Sequence, residues 1–208
     1  KLRDDLLTGT ATDGIRIAYA EAAAENAQGH SFSVIIPSRS LNEVTRLLTG
    51  DEDSQVNVAV TANQVFFDLG NTRVISRLLE GQYPDVMRLV PQHYPTEAVL
   101  PGAEFMEALE RATLITKDGA VKISFQTDKV TITSNTPEVG QVYEELAVTS
   151  MSGDPLDIGF NARYLLDFLK VLEEKQFRFQ CSGSRNPARL MPADSSQFLY
   201  VVLPLITL

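Results

Sequence analysis

Two segments of this chain share one order of elements: a short apolar strand, a turn and the start of a helix. Residues 33–41 read SVIIPSRSL, and residues 156–164 read LDIGFNARY. The spacing between them, from Ile35 to Ile158, is the length of a whole domain and is too long for one repeat of a solenoid. The sequence therefore predicts a domain-sized unit, built from helices that are each followed by alternating strands, which occurs nearly twice.

The strongest helix prediction covers residues 104–115, where Phe105, Ala108, Leu109 and Ala112 share one face. A second helix should begin after Pro37, and a third at Asn161. Period-two alternation predicts the strands. They are expected at residues 10–12, 15–19, 33–36, 56–60, 65–69, 72–79, 121–126, 129–135, 141–150, 177–181 and 200–203. These elements indicate an α+β fold of repeated helix-plus-antiparallel-sheet units.

Glycine and proline mark the turns and one domain boundary. Asp13-Gly14 is typical of a tight hairpin turn. Gly50 is expected to end the first helix, and residues 51–53 are expected to form an acidic turn after it. Residues 88–101 contain three prolines and show no periodicity, which favours a stiff, extended crossing segment. We therefore predict two domains, at 1–92 and 93–208, the first of them incomplete at its N-terminal side.

Composition excludes several classes of protein. The 208 residues are 44% hydrophobic, and no apolar run approaches the roughly 20 residues of a membrane helix. The charged start lacks the apolar core of a secretory signal. One cysteine, Cys181, excludes an internal disulfide and suits a reducing cytoplasm. It lies in a predicted strand, so a buried side chain is favoured over a nucleophile. With two isolated histidines, neither a metal nor a cofactor is expected.

The formal net charge is −9. This negative net charge argues against a protein that binds nucleic acid through its overall charge. It leaves open a protein that concentrates its basic side chains on one surface.

The C-terminal stretch, residues 200–208, reads YVVLPLITL and is unusually apolar for a chain end. Residues 200–203 are typical of a buried strand, which Pro204 ends because proline has no N–H for a ladder. Beyond it, Leu205, Ile206 and Leu208 either fold back into a core or line an apolar groove that another molecule uses. Both alternatives stay open on these residues alone.

Four spaced blocks resemble the bacterial sliding clamp family, the β subunit of the replicative DNA polymerase. They are ATDGIR at residues 11–16, LEGQYPD at 79–85, GFN at 159–161 with Tyr164, and the final Leu203-Pro204. The family pattern has a histidine where this chain has Ile15, and a basic residue often follows its terminal proline where this chain has Leu205-Ile206. The resemblance covers essentially the whole chain. Compared with the family pattern, the first domain and the opening half of the middle domain are missing.

The resemblance implies a non-catalytic processivity factor of DNA replication. In this family two head-to-tail subunits enclose duplex DNA, with two helices inside and sheets outside in each domain, and contacts with DNA do not depend on base sequence. Short motifs of the DNA polymerase III catalytic subunit, the clamp loader and repair polymerases bind a groove between the middle and last domains. A full-length homodimer, a monomer for this fragment and a cytoplasmic location are expected. The alternative is a protein–protein scaffold that does not encircle DNA.

The resemblance also assigns residues to three surfaces. The groove residues it implies are Thr12, Gly14, Arg16, Ile17, Pro84, Arg88, Leu89, Asn161, Tyr164, Pro187, Val201, Val202, Leu203, Pro204 and Leu205. The basic residues on the predicted helices that are candidates for the DNA-facing side are Arg39, Arg46, Arg111, Arg163 and Lys170. The candidates for a subunit interface are Leu114 and Ile115, which as a pair fit a core equally well.

Catalysis is the weaker alternative. An enzyme would have to use Asp13 with Arg16, or the acidic turn at 51–53. Turn geometry explains Asp13, and consecutive surface carboxylates are usually a solvated loop. The sequence shows no nucleophile with a base and a supporting third residue, and no glycine-rich phosphate loop.

Overall fold

A computed structural model describes residues 1–26, 28–48, 55–116, 118–137, 139–172 and 175–206. The predicted acidic turn at 51–53, the helix-closing Gly50, Lys117 and Leu208 lie outside these residues. The helices are α1 (Ser38–Leu47), α2 (Gly102–Thr113) and α3 (Ala162–Leu169), and Val86–Leu89 form a 3₁₀ turn. The strands are β1 (Leu2–Arg3), β2 (Leu6–Thr12), β3 (Arg16–Ala23), β4 (Asn57–Val60), β5 (Gln64–Asp68), β6 (Arg73–Arg77), β7 (Thr96–Pro101), β8 (Ala120–Phe125), β9 (Lys129–Thr136), β10 (Gly140–Ala147), β11 (Ser150–Ser152), β12 (Leu156–Asn161), β13 (Gln176–Cys181), β14 (Ala188–Pro192) and β15 (Phe198–Val202).

The chain forms two compact units. The first comprises Lys1–Thr8 and Ala23–Asp85, and the second comprises Gly9–Ala22 and Val86–Leu208. The tip of the predicted Asp-Gly hairpin therefore belongs to the second unit, although it lies near the start of the chain. The sequence-based division between residues 92 and 93 stays a prediction.

In the first unit, α1 packs on an antiparallel sheet of order β4-β5-β6. Val44 of α1 is buried against Val65 and Phe67 of β5. The predicted strand at residues 33–36 is wrong, because Ile35 forms only an isolated bridge with Leu79. The following Pro37 cannot donate to a ladder and starts the helix instead.

The second unit has two antiparallel sheets and two helices around one core. One sheet has the order β10-β9-β8-β12, and the other runs β3-β15-β14-β13-β7-β11. Phe179 of β13 lies at the centre, with its ring 5.1 Å from that of Phe125 and 5.6 Å from that of Phe160. The predicted apolar face of α2, from Phe105 to Ala112, is fully buried in the same core. The strands and helices confirm the predicted α+β class.

The extended crossing segment predicted for residues 88–101 is wrong at its C-terminal end. Thr96–Pro101 is strand β7, which pairs with β13 on one side and β11 on the other. Thr96, Ala98 and Leu100 alternate as buried residues. Pro95 precedes the strand and Pro101 ends it, so the prolines that suggested a linker delimit a central strand.

No helix among the described residues is long and apolar enough to cross a membrane.

Candidate functional site

Side chains inside the predicted Asp-Gly turn fix its shape. Gly14 has a φ of 89°, which glycine tolerates best. The Thr12 hydroxyl donates to the Arg16 carbonyl at 2.7 Å and accepts from the Gly14 N–H. One oxygen of Asp13 accepts the N–H groups of Ile15 and Arg16. These bonds explain Asp13 by turn geometry and present Arg16 at the start of β3.

The Arg16 side chain joins three parts of the second unit. Its Nε donates to Asp13 at 2.9 Å, and its Nη1 donates to Asp167 of α3 at 2.6 Å and to the Tyr200 hydroxyl of β15 at 3.1 Å. Its guanidinium carbon lies 4.5 Å from the centre of the Tyr164 ring. The Tyr200 hydroxyl donates in turn to the Tyr164 carbonyl. Arg16 therefore holds the ring of Tyr164 from one side.

These contacts shift the titration of the groups involved. Burial alone would lower the pKa of Arg16. Hydrogen bonds from its guanidinium to Asp167, Tyr200 and Asp13 outweigh this effect and raise the pKa above its usual value. Burial would raise the pKa of Asp13, yet hydrogen bonds from Ile15 and Arg16 hold it below its usual value. Burial raises the pKa of Tyr200, and the Arg16 charge partly offsets this effect. All three groups therefore keep their neutral-pH charge states.

Asn161 ends β12 and caps α3. Its side-chain oxygen accepts the Arg163 N–H at 3.0 Å, and its amide nitrogen donates to the Asp118 carbonyl at 3.2 Å. Gly119 packs against this amide, because a Cβ at residue 119 would lie 2.8 Å from the side-chain oxygen of Asn161. The predicted groove residue Asn161 therefore uses both ends of its amide to fix the start of the helix that carries Tyr164.

The 3₁₀ turn at Val86–Leu89 packs on strands β3 and β15. Val86 and Val90 form a small core with Ile17 and Val201. Leu89, between them, leaves 68% of its side chain exposed. Arg88 is on the same turn and is exposed. The predicted groove residues Ile17, Leu89 and Val201 are therefore neighbours, with Ile17 and Val201 buried beneath the turn.

The C-terminal tail is held by two backbone hydrogen bonds. The Leu203 N–H donates to the Ile15 carbonyl at 3.0 Å, and the Leu205 N–H donates to the Gly159 carbonyl at 2.8 Å. Leu203 is 43% exposed, Leu205 37% and Ile206 75%. The alternative in which these described residues fold into a core is therefore excluded. We call Ile15, Arg16, Tyr164 and residues 203–206 the tail surface.

The other predicted groove residues are less directly placed. Pro187 is half-buried just before β14, and Pro84 is exposed in the first unit. The Val202 side chain is fully buried in the main core, so it is part of the packing beneath the tail surface.

Two cavities in the second unit lie away from the tail surface. One, of about 600 Å³, is lined by residues of β8, β9 and β10, among them Lys122, Thr133 and Tyr143. The other, of about 410 Å³, lies beside Glu104 and Leu146. Neither includes a predicted groove residue, so the candidate site is defined by fixed, exposed apolar side chains on an open surface.

The predicted DNA-facing residues are all exposed and lie on helices or, for Lys170, directly after one. Arg39 and Arg46 lie on α1, and Arg46 pairs with Glu43. Arg111 of α2 pairs with Glu144 at 2.8 Å and with Glu107 at 3.7 Å. Arg163 begins α3 and Lys170 follows its end. The DNA-facing assignment stays a prediction.

The two predicted interface residues lie at the end of α2. Leu114 is 82% exposed and Ile115 is half-buried. A core role for Leu114 is therefore excluded, and its role in an interface stays a prediction.

Sequence reasoning missed Asp167 and Tyr200 as partners of Arg16. Helical spacing offered one signal, because residues 164 and 167 lie on the same side of α3. No local pattern could show that Leu203 binds Ile15 or that Leu205 binds Gly159.

Two features bear on nucleophiles and metal ligands among the residues that the structure describes. Cys181 is buried, and burial raises its pKa to about 12. The described residues hold no cluster of three or more histidine, cysteine or carboxylate side chains that fits a metal ion. What the described residues do present is a set of exposed apolar side chains on a surface that strands and helices hold in place.

Comparison with known proteins identifies the family. The model of the central domain of the DNA polymerase III beta subunit matches residues 1–85, and that of its C-terminal domain matches residues 87–206. The chain therefore belongs to the bacterial DNA polymerase III β subunit family, the β sliding clamps.

Similar proteins include the β sliding clamp of Bacillus subtilis, which is 35% identical over 100% of this chain and 56% of the relative. A crystal structure of the sliding clamp from Bacillus subtilis superposes with a TM-score of 0.93 at 34% identity, over 100% of this chain and 55% of that one. A Pseudomonas aeruginosa clamp bound to griselimycin gives a TM-score of 0.90 at 30% identity, over 99% of this chain and 56% of that one. The chain thus spans about half the length of these relatives.

Proposed function

We propose that this chain acts as part of a ring-shaped sliding clamp, a non-catalytic processivity factor that encircles duplex DNA and tethers replication proteins. The observation that carries the proposal is the tail surface, where Leu203, Leu205 and Ile206 are exposed while backbone hydrogen bonds hold Leu203 and Leu205. Membership of the β sliding clamp family supports the same function.

The tail surface suits a short apolar peptide motif. Leu203 and Leu205 supply aliphatic surface, and Tyr164 adds an aromatic wall that Arg16 holds in place. A small number of fixed polar groups beside such a surface can orient a peptide backbone. Short motifs that become ordered on binding have modest affinity, which lets partners exchange. We propose that the catalytic subunit of DNA polymerase III, the clamp loader and repair polymerases carry such motifs.

The proposed role on DNA needs no base contacts. A protein that slides must bind without sequence preference, and contacts to phosphates carry no base information. The exposed basic residues on the helices, from Arg39 to Lys170, are the proposed DNA-facing groups, and the net charge of −9 then lies mainly on the outer surface. A chain of the relatives' length is proposed to form a cytoplasmic homodimer through Leu114 and Ile115, whereas these 208 residues alone are monomeric.

A titration of a fluorescent peptide tests the peptide-binding part. The probe is a labelled peptide of the Gln-x-x-Leu-Phe type, and the readout is fluorescence anisotropy. We expect binding in the micromolar range, about −8 kcal/mol, and at least tenfold weaker binding by a Leu203→Ala, Leu205→Ala variant. The control is Val171→Ala, which shortens another exposed apolar side chain of the second unit. Equal binding by the variant and the control would refute the assignment of the site.

Griselimycin provides a second probe, because a Pseudomonas aeruginosa relative is described as bound to it. We expect griselimycin to displace the labelled peptide from this chain. Simultaneous binding of both would place the peptide elsewhere.

The DNA part is tested on a chain of the relatives' full length. We expect it to stay on circular duplex DNA and to slide off after the circle is cut. Retention on neither form would favour the scaffold that does not encircle DNA.

A further inference from the structure

We propose that Asp167 is a positioning residue for peptide binding, which holds the Arg16 guanidinium over the Tyr164 ring before a peptide arrives. The inference rests on the proposed peptide-binding function and deepens it. Asp167 acts through Arg16, whose Nη1 lies 2.6 Å from its carboxylate.

The contact geometry supports this role. Asp167 follows Tyr164 by three residues on α3, so both side chains lie on one side of the helix. Arg16 Nη1 lies 2.6 Å from the Asp167 carboxylate, while its guanidinium carbon lies 4.5 Å from the Tyr164 ring centre. The guanidinium is thereby held between a carboxylate and an aromatic face of the same helix.

The remaining partners of Arg16 hold its guanidinium from other elements than α3. Asp13 binds Nε from within the same turn, so it orients Arg16 without reaching α3. Tyr200, on β15, accepts from Nη1 and donates to the Tyr164 carbonyl, so it links Arg16 to the backbone of α3 only indirectly. Among these hydrogen-bonding partners, Asp167 is the one whose own side chain comes from the helix that carries Tyr164.

This arrangement should lower the cost of binding. Ordering a side chain during association costs free energy, and a ring that is already held avoids this cost. Arg16 then serves mainly to hold the wall of the site. Its charge is shared between two carboxylates, Asp13 and Asp167, and is therefore largely neutralised.

The test measures the ring and the peptide separately. The chain, with its six tyrosines, is labelled with fluorotyrosine, and Tyr164→Phe assigns the Tyr164 signal in the fluorine NMR spectrum. We expect Asp167→Asn to shift the Tyr164 signal and to weaken peptide binding about two- to fivefold, the range of exposed ion pairs. Asp167→Glu, which keeps the charge, should restore most of the affinity.

Two controls separate positioning from general destabilisation. Asp157→Asn removes another exposed, ion-paired carboxylate of this unit and should change neither readout. In a double-mutant cycle, Asp167→Asn should add nothing to Arg16→Gln if the two act as one unit.

The outcomes are distinguishable. If the wild-type chain binds the peptide and Asp167→Asn leaves the affinity or the Tyr164 signal unchanged, the positioning role is refuted and the proposed function stands. If the wild-type chain binds no peptide, the proposed function fails and this inference fails with it.

Discussion

The guanidinium carbon of Arg16 lies 4.5 Å from the centre of the Tyr164 ring. Stacking of this kind contributes about 0.5–1 kcal/mol at exposed sites and about 2 kcal/mol where water is excluded. The contact joins the start of β3 to α3, and the tail binds to the residue before Arg16 through the Leu203 N–H and the Ile15 carbonyl. Side chains that sequence separates widely are thereby fixed on one surface.

Gly153 should tolerate no side chain. It has a φ of 90°, and a Cβ there would lie 1.8 Å from the Pro95 carbonyl oxygen. Gly153→Ala must therefore displace the backbone before β7, and we expect a loss of more than about 3 kcal/mol in the free energy of unfolding. Urea denaturation measures this loss. Gly9→Ala, where no atom lies nearby and φ is not positive, is the control and should change stability by less than about 0.5 kcal/mol. If Gly153→Ala were as stable as the wild-type chain, the close approach of residue 153 to the Pro95 carbonyl would be contradicted.

Phe179 should be a major contributor to stability. It is fully buried and contacts the rings of Phe105, Phe125, Phe160 and Phe177. Phe179→Ala should cost about 3–5 kcal/mol, because it removes buried apolar surface and leaves a cavity. Urea unfolding followed by circular dichroism gives the value, with the exposed Val171→Ala as the control. A cost near that of the control would contradict the central position of Phe179 in the core.

Acid should remove the contribution of Asp13. Its pKa is lowered in the folded chain, so its stabilising effect is present above the unfolded value of 3.8 and is lost as the pH falls through the folded value. Asp13→Asn keeps the side-chain oxygen that accepts the turn N–H groups but loses the charge. We expect a lower melting temperature than wild type at pH 6 and no difference once Asp13 is protonated in the folded wild-type chain. A difference that stays constant with pH would contradict this assignment.

Cys181 should be unreactive in the folded chain. It is buried, and burial raises the pKa of its thiol to about 12, so very little reactive thiolate exists at pH 8. We expect iodoacetamide to label it at the rate of unfolding, increasing steeply with urea. Mass spectrometry of the time course measures this rate. Fast labelling without denaturant would contradict the buried position.

The elements that the sequence predicts best are those whose pattern is local. The apolar face of α2 and the strands β8 and β9 are predicted from patterns within a few residues, and the structure confirms them. Strand β7 was missed because prolines delimit it and only three of its residues, Thr96, Ala98 and Leu100, are buried. It becomes a central strand only through β11 and β13, which lie much later in the chain.

The candidate site was predictable mainly through the resemblance. Periodicity alone did not decide whether the tail residues belong to a core or line a groove. What decides it is a pair of distant backbone bonds, from Leu203 to Ile15 and from Leu205 to Gly159. The role of Asp167 needs the packing of α3 against the start of β3, which no short pattern encodes.

The most direct test of the central claim is NMR mapping of the peptide on the chain. Leucine, isoleucine and valine methyl groups are labelled, and unlabelled peptide is added until the signals stop moving. We expect the largest shifts on Leu89, Leu203, Leu205 and Ile206, and no change on Leu114 and Val142. Shifts concentrated on Val142, which lines the 600 Å³ cavity of the four-stranded sheet, would contradict this expectation and move the binding site away from the tail surface.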